Sequence, residues 1–329
     1  MKKIAINGFG RIGRAALKVI MNTPDMEVIA INDLMTLENA SYLLQYDSAY
    51  RHYDKEVSIE ADKLKVADKT ISYLSVKDPS QLPWKDLGVD VVIESTGLFT
   101  NREDAEKHLF AGAKHVVISG PTKSVDTPTI VHGVNTEDGK VAIFSCASCT
   151  TNNISPIIEI LGRRIGIKKA ILNTTHAYTA SQGIVDGPSK KKLRMGRAAA
   201  MNLVPATTGA AIATTKALPQ YQGKFDGVAV RTPVIVGSIS DITFLADRPT
   251  TVEEINNILK EEAATDRYKE VISVSDAPLV SSDIIQSSFA SIVDAEMTRV
   301  VDGDLCKVMA WYDNEWGFTN QMIRQIKEL

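Results

Sequence analysis

The segment Ile4-Ala5-Ile6-Asn7-Gly8-Phe9-Gly10-Arg11-Ile12-Gly13 constrains the fold more than any other part of the chain. A short apolar run with the character of a buried strand passes directly into Gly-x-Gly-x-x-Gly, and residues 14–20 then follow a helical pattern. Glycines alone mark tight turns anywhere. Here they join a strand to a helix, a second strand is expected at 27–33, and the acidic Asp33 lies 20 positions past Gly13. That context is the signature of a parallel β-α-β unit that receives a dinucleotide.

Each position has a physical task in such a unit. Gly8 permits the tight turn, Gly10 lets the backbone approach a pyrophosphate, and Gly13 allows the helix to pack closely. The helix start offers amides and the positive end of its dipole to the anion. Asp33 is placed to accept hydrogen bonds from the adenosine ribose, and its charge repels a 2'-phosphate, so NAD is expected over NADP.

At 329 residues the chain exceeds what one core usually serves, and two domains are expected. A hydrophobic fraction of 44%, a charged fraction of 23% and a formal net charge of -3 describe an ordinary globular protein. They give no electrostatic reason to expect nucleic acid or an anionic membrane as main partner. The start runs from Lys2 and Lys3 straight into a strand, without the apolar core of a secretory signal, and no apolar run is long enough to span a bilayer. Three cysteines, an odd number, argue against a disulfide scaffold, so the cytoplasm is the expected location.

Further parallel strands are expected at 90–94 and 115–119, with a helix between them at 102–111. Ser95-Thr96-Gly97 and Ser119-Gly120-Pro121 then fall at carboxyl ends of strands, the edge where open α/β sheets bind ligands. Another strand is expected at 140–145 and a helix at 150–165, with Pro156 in an early turn. Beyond it strand-like segments dominate at 228–236, 238–245, 289–293 and 307–312, interrupted by a helix near 251–263. The expected architecture is α/β: a Rossmann-type dinucleotide-binding domain over 1–148, then an α+β catalytic domain over 149–314 with a mainly antiparallel sheet. A C-terminal helix at about 315–329 is expected to pack back on the first domain.

Ser145-Cys146-Ala147-Ser148-Cys149-Thr150-Thr151-Asn152 allows three readings: a redox pair, a metal clip, or one nucleophile with a bystander. A structural zinc site needs about four sulfur or nitrogen ligands, and Cys306 has no cysteine or histidine near it in sequence, so no metal is expected. Cys149 falls at a helix start, where free amides and the dipole favour a thiolate, whereas Cys146 lies at the end of a buried strand. His176 ends a strand that could return to the same edge as a base, although a lone histidine is more often structural.

Four segments together closely resemble the phosphorylating glyceraldehyde-3-phosphate dehydrogenases, in order and over essentially the whole chain: Asn7-Gly8-Phe9-Gly10-Arg11-Ile12-Gly13-Arg14, Ser148-Cys149-Thr150-Thr151-Asn152, Thr207-Thr208-Gly209-Ala210-Ala211 and Trp311-Tyr312-Asp313-Asn314-Glu315-Trp316-Gly317. The resemblance implies that Cys149 attacks the aldehyde of glyceraldehyde 3-phosphate and that His176 takes the hemithioacetal proton as hydride leaves for NAD. Inorganic phosphate then cleaves the thioester. It implies a substrate-phosphate site with Thr179 and Arg231 and an inorganic-phosphate site with Ser148, Thr150, Thr208 and Gly209, to which Arg194 contributes. Hydroxyls, backbone amides and arginine forks suit both anions. NAD contacts are implied for Asn7, Gly8, Phe9, Gly10, Arg11, Ile12, Gly13, Asp33, Lys77, Ser95, Thr96, Gly97 and Ser119, with Asn314 holding the nicotinamide carboxamide. A homotetramer is also implied, and Lys190, Lys191, Lys192, Arg194 and Arg197 then fall in a loop beside a neighbouring subunit's cofactor site instead of marking nucleic-acid binding.

The sequence departs from that family in places. Cys146 stands where Asn is common and Asn153 where many members carry a second Cys, which places a thiol near Cys149 that could resolve a sulfenic acid formed on it. Lys77 replaces a usual Arg, Phe318 a frequent Tyr, and residues 232–238 differ from the usual run, while Gly187-Pro188 resembles NAD-using members. The competing readings are an erythrose-4-phosphate dehydrogenase and a non-catalytic NAD-binding regulatory protein. Thr208-Gly209-Ala210-Ala211 argues against the first, and the presence of Cys149, His176 and Arg231 argues against the second.

Overall fold

The computed structural model describes residues 1–136, 141–189 and 192–329. Residue 140 of the expected strand at 140–145, together with Lys190 and Lys191 of the basic run, lies outside the described residues. The chain divides into two compact units. The first holds residues 1–130, 322–329 and, among the described residues, 141–147; the second holds 131–136 and 148–321.

In the first unit, β1 (Lys2–Asn7) leads into α1 (Arg11–Ile20) and β2 (Met26–Asn32). Then follow α2 (Leu37–Gln45), the short pair β3 (Tyr46–Asp47) and β4 (Arg51–His52), and the meander β5 (Val57–Glu60), β6 (Lys63–Val66) and β7 (Lys69–Leu74). The unit continues with α3 (Trp84–Leu87), β8 (Val91–Glu94), α4 (Arg102–Phe110), β9 (His115–Ile118) and β10 (Ile143–Ser145). One eight-stranded sheet has the order β10-β9-β8-β1-β2-β7-β6-β5, parallel from β10 to β7 and antiparallel in the meander. Strands covered on both faces need apolar residues at every position, and Ile4, Ala5, Ile6, Val91, Val92 and Ile93 are all buried. The meander is additional to the sequence expectation. Its turns pass through Ala61 and Ala67 at positive φ (56° and 52°), positions without the glycine or asparagine that normally announces them.

The second unit starts with α5 (Cys149–Arg164) and β11 (Ile167–Ala177), followed by β12 (Val204–Thr207), α6 (Ala210–Ala217), β13 (Phe225–Thr232) and β14 (Ser238–Ala246). It ends with α7 (Val252–Ala263), β15 (Ile272–Ser275), β16 (Ser291–Val301), β17 (Leu305–Tyr312) and residues 316–321 of α8 (Trp316–Lys327). The sheet order is β12-β13-β11-β14-β17-β16-β15, antiparallel except for the β13–β11 and β16–β15 pairs. β14 alternates buried and half-buried positions along its length, as a strand with one covered face must. α5 packs against α6 and α7 with Ile154, Ile157, Ile158 and Leu161 buried.

Both expected fold classes are present, with local corrections. Pro156 is not in an early turn but sits within α5, which continues through it to Arg164 although proline cannot donate the intrahelical bond. The strand expected at 228–236 stops at Thr232, immediately before Pro233, which cannot donate to a ladder. Residues 322–329, the end of α8, group with the first unit, where Lys2 Nζ donates to Ile326 O at 2.7 Å. Among the described residues, no helix is long and apolar enough to cross a membrane.

Candidate active site

In the first unit, the carboxyl ends of β1, β2, β7 and β8 open onto a cavity of about 730 Å³. Of the expected cofactor residues, Asn7, Gly8, Gly10, Asp33, Lys77, Ser95 and Thr96 line it. Gly8 has φ +97°, and a Cβ there would stand 2.5 Å from Thr96 N; a Cβ on Gly13 would stand 2.1 Å from Gly8 O. A Cβ on Gly10 would meet nothing within 4 Å, so that backbone is open to an approaching group. This is the division of labour that a pyrophosphate cradle requires. Asp33 accepts from Phe9 N at 2.6 Å through Oδ2 and from Met35 N at 2.9 Å through Oδ1, which fixes the carboxylate at the rim.

The other expected cofactor residues of this unit do not line the cavity. The Phe9 side chain is fully buried, Arg11 pairs with Asp47 and lies over the Tyr50 ring, and Ile12 and Gly13 belong to α1. Gly97 turns the chain at φ +72°, and Ser119 N donates to Glu94 O at 3.0 Å. The cavity is completed by Asn32, Leu34, Val76, Asp78, Pro79, Leu98, Phe99 and Lys107, which sequence reasoning missed. Asn32 was the most accessible of these, because it ends the second strand of the β-α-β unit just as Asn7 ends the first.

In the second unit, Cys149 is the first residue of α5, and Ser148 caps that helix by accepting from Thr151 N at 3.0 Å. His176 lies one residue before the end of β11, 4% exposed, with Nε2 3.4 Å from Cys149 Sγ. Its neighbour across the parallel β11–β13 ladder is Arg231, so sheet register brings the pair together. Arg231 Nη1 stands 2.7 Å from His176 Nδ1 and donates to Ala177 O at 3.0 Å. His176 Nδ1 is also 2.6 Å from Ala177 O.

Those contacts select between two tautomers. A guanidinium only donates, so the Nδ1 that faces it must present a lone pair, leaving the proton on Nε2 and directed at Sγ. The alternative places the proton on Nδ1, donated to Ala177 O, and leaves Nε2 as the acceptor for the thiol proton. Arg231 favours the first arrangement. Tyr312, another residue missed from sequence, meets the His176 ring edge-on at 5.9 Å and bonds through its hydroxyl to Thr150 Oγ1 and Thr174 Oγ1, both at 2.9 Å.

Electrostatics correct one expectation. The helix start does not by itself make Cys149 a thiolate: burial pushes the thiol up, and Arg231 and the Thr150 donors only offset part of that. Burial, then the Arg231 charge, pull His176 down to about 3. Cys146 is 3% exposed and burial drives its thiol far up, while burial pushes Cys306 to about 11. None of the three cysteines is in a disulfide, and among the described residues no three His, Cys, Asp or Glu side chains are grouped to hold a metal.

The remaining expected residues take varied positions. Thr150 is buried, its hydroxyl turned to Tyr312. Thr179 Oγ1 pairs with Ser181 Oγ at 2.9 Å, and Thr208 Oγ1 accepts from Ala210 N at 3.1 Å at the start of α6, whose N-cap is the exposed Gly209. Arg194 is exposed in the turn Leu193–Gly196, and Arg197 pairs with Asp186. Asn314 is 4% exposed, and its Oδ1 accepts from Gly237 N at 3.2 Å and Ser238 Oγ at 3.0 Å, so its amide N–H groups are the donors it can offer a ligand.

Two family models match the chain. The glyceraldehyde 3-phosphate dehydrogenase NAD binding domain matches residues 2–102, and the glyceraldehyde 3-phosphate dehydrogenase C-terminal domain matches 148–314. Curated relatives include the glyceraldehyde-3-phosphate dehydrogenase of Thermotoga maritima, 48% identical over 100% of this chain and 99% of the relative. That of Clostridium acetobutylicum is 44% identical over 99% and 98%, and that of Geobacillus stearothermophilus 45% identical over 98% and 96%. With matches of this identity along its full length, the chain belongs to the glyceraldehyde-3-phosphate dehydrogenase family.

Proposed function

We propose that Cys149 and His176 form the reacting pair of a phosphorylating oxidation of glyceraldehyde 3-phosphate to 1,3-bisphosphoglycerate. NAD dependence and the aldehyde-oxidising activity follow from the family. The observation that carries the residue assignment is the 3.4 Å approach of His176 Nε2 to Cys149 Sγ at a helix start. NAD, when bound, supplies the hydride acceptor. Its fit is supported by the glycine cradle at Gly8, Gly10 and Gly13 and by the Asp33 carboxylate at the cavity rim.

As Sγ attacks the aldehyde carbon, the Cys149 proton passes through His176 Nε2 to the carbonyl oxygen, giving the hemithioacetal hydroxyl and leaving Nε2 free again. His176 then accepts the hydroxyl proton of the hemithioacetal as the hydride departs, leaving a thioester on Cys149. Both steps need Nε2 with its lone pair available, the tautomer in which Nδ1–H is donated to Ala177 O. Arg231 and Thr179 are assigned to the substrate phosphate. Ser148, Gly209, Thr208, the Thr150 backbone and Arg194 are assigned to inorganic phosphate, whose attack on the thioester conserves the oxidation energy in an acyl phosphate. Asn314 is assigned to the nicotinamide carboxamide as an amide donor.

The test is NADH formation by reduced protein with glyceraldehyde 3-phosphate, with and without inorganic phosphate, beside Cys149→Ala and erythrose 4-phosphate controls. Fast turnover that requires phosphate and Cys149 supports the assignment. Faster, phosphate-independent turnover of erythrose 4-phosphate would overturn it, although the relatives do not favour that substrate.

We also infer a cytoplasmic homotetramer. Exposed apolar residues of the second unit support an association surface: Ile171 and Ile212 are 59% and 60% exposed and border a cavity of about 700 Å³ with Phe225 and Leu305. Light scattering on a sizing column tests it, a monomer being the outcome that removes it.

A further inference from the structure

Beneath the cofactor cavity, the first unit buries a carboxylate that none of the assignments above uses. Glu94, the last residue of β8, is 1% exposed. Its Oε2 lies 2.6 Å from Asn7 Nδ2 and 3.1 Å from His108 Nε2, and its Oε1 accepts from Thr96 N at 2.9 Å and from Thr96 Oγ1. His108, on α4, is wholly buried and accepts at Nδ1 from the indole N–H of Trp84 at 3.0 Å.

The proton positions in this cluster follow from donor and acceptor chemistry. Indole N–H can only donate, so His108 Nδ1 carries a lone pair and Nε2 carries the hydrogen, which points at Glu94. The 3.4 Å approach of Asn7 Nδ2 to His108 Nε2 is then a meeting of two donors that share one acceptor oxygen, not a bond between them. Thr96 Oγ1 accepts from Leu98 N at 3.1 Å, so its own hydrogen goes to Glu94. Four donors thus converge on one carboxylate, enough to hold a buried anion without a cation.

The chain of bonds also fixes the amides that face the cavity. With Nδ2 committed to Glu94, Asn7 presents Oδ1 to Asn32 Nδ2 at 2.7 Å. Asn32 in turn grips the Val76 backbone from both sides, Nδ2 to Val76 O at 2.9 Å and Oδ1 from Val76 N at 2.8 Å. Asn7, Asn32, Val76 and Thr96 all line the cavity; Glu94, His108 and Trp84 do not.

We propose that Glu94 and His108 are positioning residues for the dinucleotide, acting from below the cavity to set the orientation of Asn7, Asn32 and Thr96 at the ends of three neighbouring strands. The role rests on the NAD reading of that cavity. It predicts that the cluster matters for its hydrogen-bond polarity and not for its bulk.

The experiment compares NAD dissociation constants and melting temperatures for the wild-type chain, Glu94→Gln, His108→Leu, His108→Gln and Leu64→Ala. Leu64 is a fully buried residue of β6 outside the cavity lining, and its truncation serves as a purely destabilising control. Gln at 108 keeps one donor for Glu94 and one acceptor for Trp84, whereas Leu keeps neither. Glu94→Gln and His108→Leu are expected to weaken NAD binding about tenfold, the scale of a lost buried charge-assisted bond, with kcat at saturating NAD within about twofold. His108→Gln is expected to restore binding to within about threefold of wild type, and Leu64→Ala to melt earlier without losing affinity. Should Glu94→Gln fail to fold, the two His108 variants still decide the matter. Equal affinities for His108→Leu and His108→Gln, or losses no larger than those of Leu64→Ala, would overturn the positioning role. A wild-type chain that does not bind NAD would instead overturn the cavity assignment and the role with it.

Discussion

Arg231 Nη1 lies 2.7 Å from His176 Nδ1, on the side of the imidazole opposite Cys149. A fixed cation there lowers the proton affinity of both groups: it disfavours the imidazolium and favours the thiolate. Removing it raises the proton affinity of each. Arg231→Gln is therefore expected to move the pH midpoint of Cys149 alkylation upward and the titration of His176, followed by NMR, upward as well. Midpoints that stay put, or that shift in opposite directions, would refute this placement of the charge. If Arg231 takes the substrate phosphate as proposed, drawing the guanidinium away would leave Nδ1 free to carry the proton and donate to Ala177 O, with Nε2 ready to accept.

The depressed His176 also carries a stability signature. In the unfolded chain its pKa is about 6.5, as for any histidine; in the fold, burial and then Arg231 hold it at about 3. Between those values the unfolded chain binds a proton that the native state refuses, so its contribution to stability is present above about pH 6.5 and falls as the solution is acidified toward 3, by up to about 1.4 kcal/mol per pH unit. His176→Asn removes the group. The wild-type chain is expected to lose stability relative to this variant between pH 6.5 and 4.5 in denaturant titrations, and parallel curves would contradict the burial of a neutral imidazole.

The glycine motif yields a test of the cradle geometry. A methyl group on Gly13 would stand 2.1 Å from Gly8 O and 3.1 Å from Ile6 Cγ2. Backbone cannot yield as a side-chain tip can, so α1 must move off β1. Gly13→Ala is expected to cost about 1–3 kcal/mol of stability, the range for overpacking, and to weaken NAD binding. Gly10→Ala has free space around its new methyl group and is expected to keep its stability while losing affinity. Equal melting temperatures for Gly13→Ala and Gly10→Ala would show that the close approach is not needed.

How far the site could be read from sequence depends on the range of the interactions involved. The β1-α1-β2 unit was legible because strand, turn and helix are contiguous and each glycine has a local steric reason. Cys149 was legible in position, since a helix start is a local feature, but not in protonation, which is set by burial. The partnership of His176 with Arg231 comes from parallel register between β11 and β13, and no spacing rule reports on register between strands about fifty residues apart. Tyr312 and Glu94 were missed for a related reason: each is a buried polar group whose meaning lies in partners brought by other strands and helices. The meander β5 to β7 escaped because its turns use alanine in place of glycine.

The two cysteines of Cys-x-x-Cys can now be told apart by reactivity. Exchange and sulfenic-acid resolution both require a thiolate, and a thiol that stays protonated attacks slowly however close it lies. Cys146 is 3% exposed, and burial drives its thiol far up. Cys149 is raised by burial too, but Arg231, the Thr150 hydroxyl and the first amides of α5 all work against that rise. Cys149 is therefore the thiol that iodoacetamide should modify in the native protein, with Cys146 labelled only after unfolding. Under peroxide, Cys149 is expected to progress to sulfinic and sulfonic acids while Cys146 remains reduced, and Cys146→Ser should leave the inactivation rate within about twofold of wild type. Peptide mapping decides it. A Cys146–Cys149 disulfide formed in native protein, with Cys146→Ser markedly more sensitive to peroxide, would mean that the Cys146 environment opens on oxidation and that this thiol protects its neighbour after all.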